Sequence, residues 1–360
     1  MTLDAAKSVA ERTIGVAALV VAVLAPVLFS DFWVNSILTQ ALILGIGAAS
    51  LIFLSAYGGM ISLAQTGLMG IAGYALANMV TQRVPGGETK GLLLGWDPTL
   101  ALVAAILFTV AIGLVFGAVA SRSFGIYFLM LTLTYTVIAF LFVGSVTLIG
   151  GFSPVAGVDQ YTPGFIGDVV NDRERLYYIA LITAVFVYLL IRYLVRTPFG
   201  ISMQGIRDEP VRMASLGYNV ALHRTLAFGI GAFVAAVGGV LYAWWFGQLS
   251  PTTMGLDATI QLLIIAVVGG LRRIEGAWLG ALAFIWINNE VTNRIPSDGL
   301  PVIGGTFNTV IGFIFLAIVI ISPDGLMGLC ERLWDAARRR VSPPRVDGET
   351  RGAAAEASSS

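Results

Sequence analysis

A run of 51 residues between Asp31 and Arg83 holds no charged side chain, yet it contains Ser62, Gln65, Thr66 and Tyr74. Hydroxyl and amide groups of this kind can hydrogen-bond a polar solute without ionising near neutral pH. Glycines at 67, 70 and 73 recur every three residues among them, and a second apolar run carries Thr132, Thr134 and Thr136. Two readings stand side by side. Small residues at this spacing let helices pack closely, and threonines can bond back to their own helix carbonyls. Alternatively, Ser62, Gln65, Thr66, Gly70, Tyr74 and Thr132 line a translocation route, which the polar neighbours of the glycines favour.

Other chemistries are excluded by what the chain lacks. One cysteine, Cys330, permits no intrachain disulfide or thiolate cluster, and one histidine, His223, permits no histidine-rich metal site. There is no G-x-x-x-x-G-K-[ST] segment, so the chain has no P-loop of its own for ATP. Paired carboxylates and Ser/His/Asp sets do not stand out. Neither catalysis nor a bound cofactor or metal is expected. No apolar run carries an acid or base near its middle, which argues against a proton-coupled pump. Sodium coupling through backbone carbonyls stays open.

Helices in a bilayer must position these residues. The chain is 57% hydrophobic and 12% charged over 360 residues, with a mean hydropathy of +0.86. Globular chains carry roughly 25% charged residues. The sequence therefore reads as an all-α integral membrane protein, a polytopic bundle of about 8–10 transmembrane helices at ~20 residues each. A leader (1–13) precedes a membrane domain (14–322) and a basic tail (323–360), whose Pro- and Ser-rich end beyond about 343 has the composition of disorder. Ile14–Phe29 is the first span. The uncharged stretch holds two more, with Tyr57-Gly58-Gly59 at the return between them. Thr99–Ala120, Phe124–Ile149 and Leu176–Leu194 follow, and Gly113 and Gly117 have the spacing for close helix approach. Thr225–Phe246 is dense in Gly and Ala. Asp257–Leu271 and Gly276–Asn289 are short, and read either as two thin spans or as a re-entrant pair. Thr306–Ile321 is the last span.

Residues 196–224 interrupt this pattern. From Arg192 to Arg224, five arginines stand against Asp208 and Glu209. Each arginine would cost roughly 2.5–3.5 kcal/mol at a bilayer centre, so the segment lies in water. Asp208 as cap, Pro210 in the first turn and Gly217 as a left-handed stop predict a helix of about two turns. A helix that short lasts in water only when it docks on something. Arg207, Asp208, Glu209, Val211, Ala214, Leu216 and Gly217 are its candidate contact residues for another chain. Sorting the loops by side gives 16 Lys and Arg on the side of this loop and 5 on the other. The positive-inside rule then puts the loop and both termini in the cytoplasm. The formal net charge of zero offers nothing to a nucleic acid.

Five segments, in register, resemble one family. Tyr57–Ala75 (YGGMISLAQTGLMGIAGYA) is similar to the Y-x-G-x-x-S-L-G-Q-a-x-F-x-G-x-G-A-Y signature of LivM-type permeases, and Gly125–Leu133 (GIYFLMLTL) to their G-I-Y-F-A-x-x-T-L segment. The central loop, with its IRDEP and SLGYNV elements, resembles their ATPase-coupling loop. Val268–Ala281 (VGGLRRIEGAWLGA) and Ser322–Gly328 (SPDGLMG) match two further landmarks. Two places depart from the pattern. IGGFSPVAGV stands where the family often shows a T-G-G-S-D-G-like loop, and Arg272-Arg273 stands where small or hydroxyl residues are common.

The resemblance implies a permease subunit of a branched-chain amino acid ABC importer in a bacterial inner membrane. Its implied partners are a second, LivH-like permease, two cytoplasmic ATPase subunits and a periplasmic substrate-binding protein. Branched-chain or other apolar amino acids are the implied substrates. The same machine carrying urea, short amides or another small polar solute is the nearest alternative, and a stand-alone secondary transporter a more distant one. A route without fixed charges would hold a zwitterion weakly and leave selectivity to the binding protein.

Overall fold

The computed structural model describes residues 19–81, 91–164, 166–167, 169, 172–294, 312–313, 315–316, 320 and 325–328. The leader, most of the expected last span and most of the tail lie outside these residues. Helix α1 (Leu19–Leu28) leads into α2 (Trp33–Gly58), whose first six residues are π-helical. Gly59 adopts φ +64° and ends α2 in a left-handed cap, a conformation that glycine reaches without strain. After a six-residue return comes α3 (Gln65–Val80). Asp97 caps α4 (Pro98–Ala120) by accepting from the Thr99 amide at 2.9 Å. Helices α5 (Ile126–Ser145) and α6 (Arg173–Arg196) complete the first half.

Helices α7 (Pro198–Asp208) and α8 (Pro210–Ser215) fill the central loop. Asn219 caps α9 (Val220–Phe246) through the Leu222 amide at 3.0 Å. Helices α10 (Leu256–Gly269) and α11 (Gly276–Arg294) follow. Two short strands, β1 (Val155–Ala156) and β2 (Gln248–Leu249), pair antiparallel with Val155 opposite Leu249. Among the described residues, α2, α4, α5, α6 and α9 are long and apolar enough to cross a membrane. The chain is an all-α, polytopic membrane protein.

Helices α2 and α9 form the centre, with α3 and α4 packed on α9. In lipid no hydrophobic force drives helices together, so close van der Waals packing must do so, and small residues permit it. The Gly113/Gly117 spacing serves this purpose. A side chain at Gly113 would meet Ala232, and one at Gly117 would meet Phe228 and the Thr225 carbonyl. At Gly239 of α9 it would strike the Met69 carbonyl of α3.

Three features bear on the expected spans. The fifth helix stops at Ser145, because Val146 turns extended and a 3₁₀ turn, Thr147–Ile149, replaces the final residues. The short pair at 257–289 forms two packed helices, α10 and α11, of 14 and 19 residues. At 1.5 Å per residue, α10 reaches only about 21 Å against a ~30 Å hydrocarbon core. The central loop contains two helices where one was expected.

Candidate functional site

A chamber of roughly 320 Å³ opens between α2, α3, α9 and α10, within the ~300–1,000 Å³ range of small-molecule sites. Helix α2 contributes Gln40 and Leu44, α3 contributes Thr66, Met69 and Gly70, and α9 contributes Gly239, Tyr242 and Phe246. Leu249, Ser250, Thr252 and Thr253 come from the segment after α9. From α10, Asp257, Ala258, Gln261, Leu262 and Ile265 share one face at helical spacing. The wall therefore mixes hydroxyls, amides and aliphatic surface with one carboxylate.

The chamber brings together only part of the pathway set expected from the sequence. Thr66 and Gly70 line it. Ser62, Gln65, Tyr74 and Thr132 lie buried behind the wall, each committed to an internal hydrogen bond. Ser50 Oγ lies 3.1 Å from Gln65 Oε1, and Gln65 Nε2 donates to Ser62 Oγ at 3.5 Å. Tyr74 donates to the Leu249 carbonyl at 3.1 Å and so ties α3 to β2. Thr132 accepts from the Leu63 amide at 3.1 Å and donates to its own helix at Leu129 O, while Thr136 donates to the Leu63 carbonyl at 2.9 Å. Helix α5 thereby satisfies both backbone groups of a residue in the α2–α3 return. Exposed in lipid, either group would cost several kcal/mol.

The glycine triplet divides in the same way. Gly67 packs on Thr136, and Gly73 packs on Leu249 and the Gly239 carbonyl, while Gly70 reaches both Met254 and the chamber. The wall also holds groups absent from the sequence-based set: Gln40, Tyr242, Gln261 and Asp257. Sequence placed Asp257 at the margin of a span and the route in charge-free surroundings. The signal that could have found it is the i, i+4 pair Asp257/Gln261, continued by Ile265 along one helical face.

The central loop forms a second candidate surface. Pro198 opens α7, with Thr197 as its cap. Asp208 closes α7 instead of capping the next helix, and Glu209 takes the cap position of α8 without a side-chain bond. Arg207 donates to the Ala56 carbonyl near the end of α2, and a side chain at Gly59 would press on its aliphatic stem. Arg207 also pairs with Asp208 at 2.8 Å, a hydrogen bond that holds the Asp208 carboxyl below its ordinary range. Met213 of α8 lies against Gly205 of α7. Val211 and Leu216 remain 81% and 66% exposed, and Glu209 and Ala214 are exposed as well. Gly217 has φ +92°, with its amide on the Ala214 carbonyl, so the expected left-handed stop is present. His223, expected in a loop, lies in the first turn of α9 and stacks on Phe199 of α7 with ring centres 5.7 Å apart.

Several known proteins are similar to this chain. The high-affinity branched-chain amino acid transport system permease protein LivM of Salmonella typhimurium is 25% identical over 174 residues, 48% of this chain and 39% of LivM. LivH of the same organism is 34% identical over 122 residues, 33% of this chain and 37% of LivH. BraD of Pseudomonas aeruginosa, likewise named as a permease protein, is 28% identical over 163 residues, 45% of this chain and 50% of BraD. The matched region thus spans half or less of each relative's length. No solved structure matches the chain. The family model described as branched-chain amino acid transport system / permease component matches residues 34–321, which takes in every helix that walls the chamber and the whole central loop, and the chain belongs to that family.

Proposed function

We propose that this chain is a permease subunit of an ATP-driven importer in a bacterial inner membrane, passing branched-chain or other apolar amino acids through the chamber between α2, α3, α9 and α10. The observation that carries this reading is the joint presence of that chamber and of α8, a short exposed helix presenting Val211 and tied through α7 to the base of α2. A second permease similar to LivH completes the route. Two cytoplasmic ATPase subunits dock on the central loop, and a periplasmic binding protein delivers the solute. Both termini and the loop face the cytoplasm, in line with the 16:5 distribution of Lys and Arg.

In this mechanism the ATPases press on Glu209, Val211, Ala214 and Leu216. Arg207 and Asp208 pass the displacement to the end of α2, and the α2–α3 return carries it to Thr66 and Gly70 in the chamber wall. Gly217 sets the angle at which α8 is presented. Within this chain nothing lies within 4 Å of a side chain placed there, so inside the chain a substitution acts through backbone strain.

Gly217→Val tests the reading, at a conformational cost of about 1–3 kcal/mol. The variant inserts and assembles normally, and in proteoliposomes it loses substrate-stimulated ATP hydrolysis and uptake together. Uptake at the wild-type rate removes the docking role of α8. Failure of any ATPase to associate with the unaltered chain removes the importer reading itself.

A further inference from the structure

Asp257 is the one charged residue in the chamber wall, and no Lys, Arg or His joins it among the described residues. It sits in the first turn of α10, whose cap is Gly255 with no side-chain bond. Its carboxylate makes no hydrogen bond or ion pair with the described residues. A carboxylate facing a concave site without a cation of its own favours a positively charged guest and repels a negative one.

The rest of the wall complements that charge. Gln261 lies one turn further along α10, and Gln40 and the mutually hydrogen-bonded Ser250 and Thr252 hydroxyls add a neutral polar rim that can donate to a carboxylate. Beyond Gln261 the α10 face becomes aliphatic, ending at Ile265 about 12 Å from Asp257 by helical rise. Leu44 and Met69 extend this apolar part from α2 and α3. An anchor, a neutral polar rim and an apolar floor occur together in one chamber.

We infer that the chamber takes its solute by a protonated amine held at Asp257, with the solute's side chain on the aliphatic floor, and that Asp257 selects ammonium-bearing solutes over urea and simple amides. This assignment rests on the importer reading and deepens it. It moves part of the selectivity from the binding protein into the membrane.

The test uses the assembled importer in proteoliposomes without its binding protein, so that recognition elsewhere does not enter. In a Cys330→Ser background, Ala258→Cys reports on the wall through its rate of modification by a water-soluble thiol reagent. Thr253→Cys serves as a second reporter if the first impairs assembly. Millimolar leucinamide, which keeps the ammonium and lacks the carboxylate, slows modification several-fold. The same concentration of 4-methylpentanoate, which keeps the carboxylate and lacks the ammonium, leaves the rate unchanged. Asp257→Asn abolishes the protection by leucinamide, and Asp257→Glu retains it. Equal protection by the two compounds, protection by neither, or leucinamide protection that survives in Asp257→Asn overturns the assignment. Failure of the importer reading registers separately, as absent nucleotide-driven uptake in the unaltered complex.

Discussion

The central helices α2 and α9 and the outer helices α4, α5 and α6 are made of similarly apolar sequence but meet different surroundings. The most hydrophobic windows of α2 and α9 are 78% and 72% buried, against 22%, 33% and 28% for α4, α5 and α6. Hydropathy does not separate the two groups, because lipid tails and neighbouring helices are equally good apolar solvents. Side-chain size sets α9 apart. Helix α9 has Gly229, Gly231, Gly238 and Gly239 among alanines, whereas α4 turns Leu100, Leu107, Phe108 and Val115 outwards and reserves Gly113 and Gly117 for α9. In this membrane protein, hydrophobicity sets which segments enter the bilayer; small residues let α9 be enclosed, whereas α2 is enclosed with bulky Ile43, Ile46, Leu51 and Phe53 packed at the centre.

That contrast can be broken most severely at Gly239. Gly239→Val drives a branched side chain into the Met69 carbonyl, and such overpacking costs about 3 kcal/mol. The expected result is loss of monodisperse protein in detergent and a sharply lowered thermal midpoint. A variant as stable as the parent would mean that α3 and α9 do not cross here. Gln65→Leu sharpens the comparison at intermediate scale. It leaves Ser50 and Ser62 without their amide partner in a buried setting, for a loss of about 1–2 kcal/mol. Thermal unfolding of the purified chain reads this directly. A large loss of uptake at unchanged stability would instead return Gln65 to the solute's path. The smallest effect belongs to the outer group: Leu107→Ala on the exposed face of α4 changes stability by less than about 0.5 kcal/mol. A clear destabilisation there would mark that face of α4 as covered.

Much of the bundle was legible in the sequence because bilayer length and charge leave few choices. Helix α4 begins within a residue of the expected Thr99, behind Asp97-Pro98, and α9 ends at the expected Phe246 before Gly247, but the Asn219 cap starts α9 at Val220, five residues before the expected Thr225. Where the reading missed, the cause was local or long-range competition. Pro210 forces the residue before it out of the α region, so Glu209 breaks the chain at φ −141°, ψ 73°. That break leaves the expected two-turn helix to begin at Pro210 as α8, and Asp208 instead closes α7, a helix the sequence did not suggest. The chamber could not be read in full, because its walls come from α2, α3, α9 and α10, which are far apart in the chain. Thr66 and Gly70 were visible as polar and small residues in an apolar run. Asp257 was hidden by lying at a helix end, where an acidic residue is ordinarily explained by the helix dipole. Gln65 and Thr132 drew notice for their polarity, which serves internal bonds within the bundle.

The α2–α3 return is gripped at both ends: Gly59 is fixed in its left-handed cap, and Leu63 is held through its amide and carbonyl by Thr132 and Thr136. Its consequence is a rule about sequence length. With one residue deleted between Gly59 and Leu63, the chain could hardly span from the left-handed cap to both threonines, and with one inserted the slack would have to bulge without loosening either grip. Losing the grip on Leu63 would unseat the start of α3, where Thr66 and Gly70 line the chamber and Gly67 rests on Thr136. Chains built on this architecture can exchange side chains in the return and still work, but they must keep its residue count, so alignment gaps should be missing from this segment even where identity has fallen away.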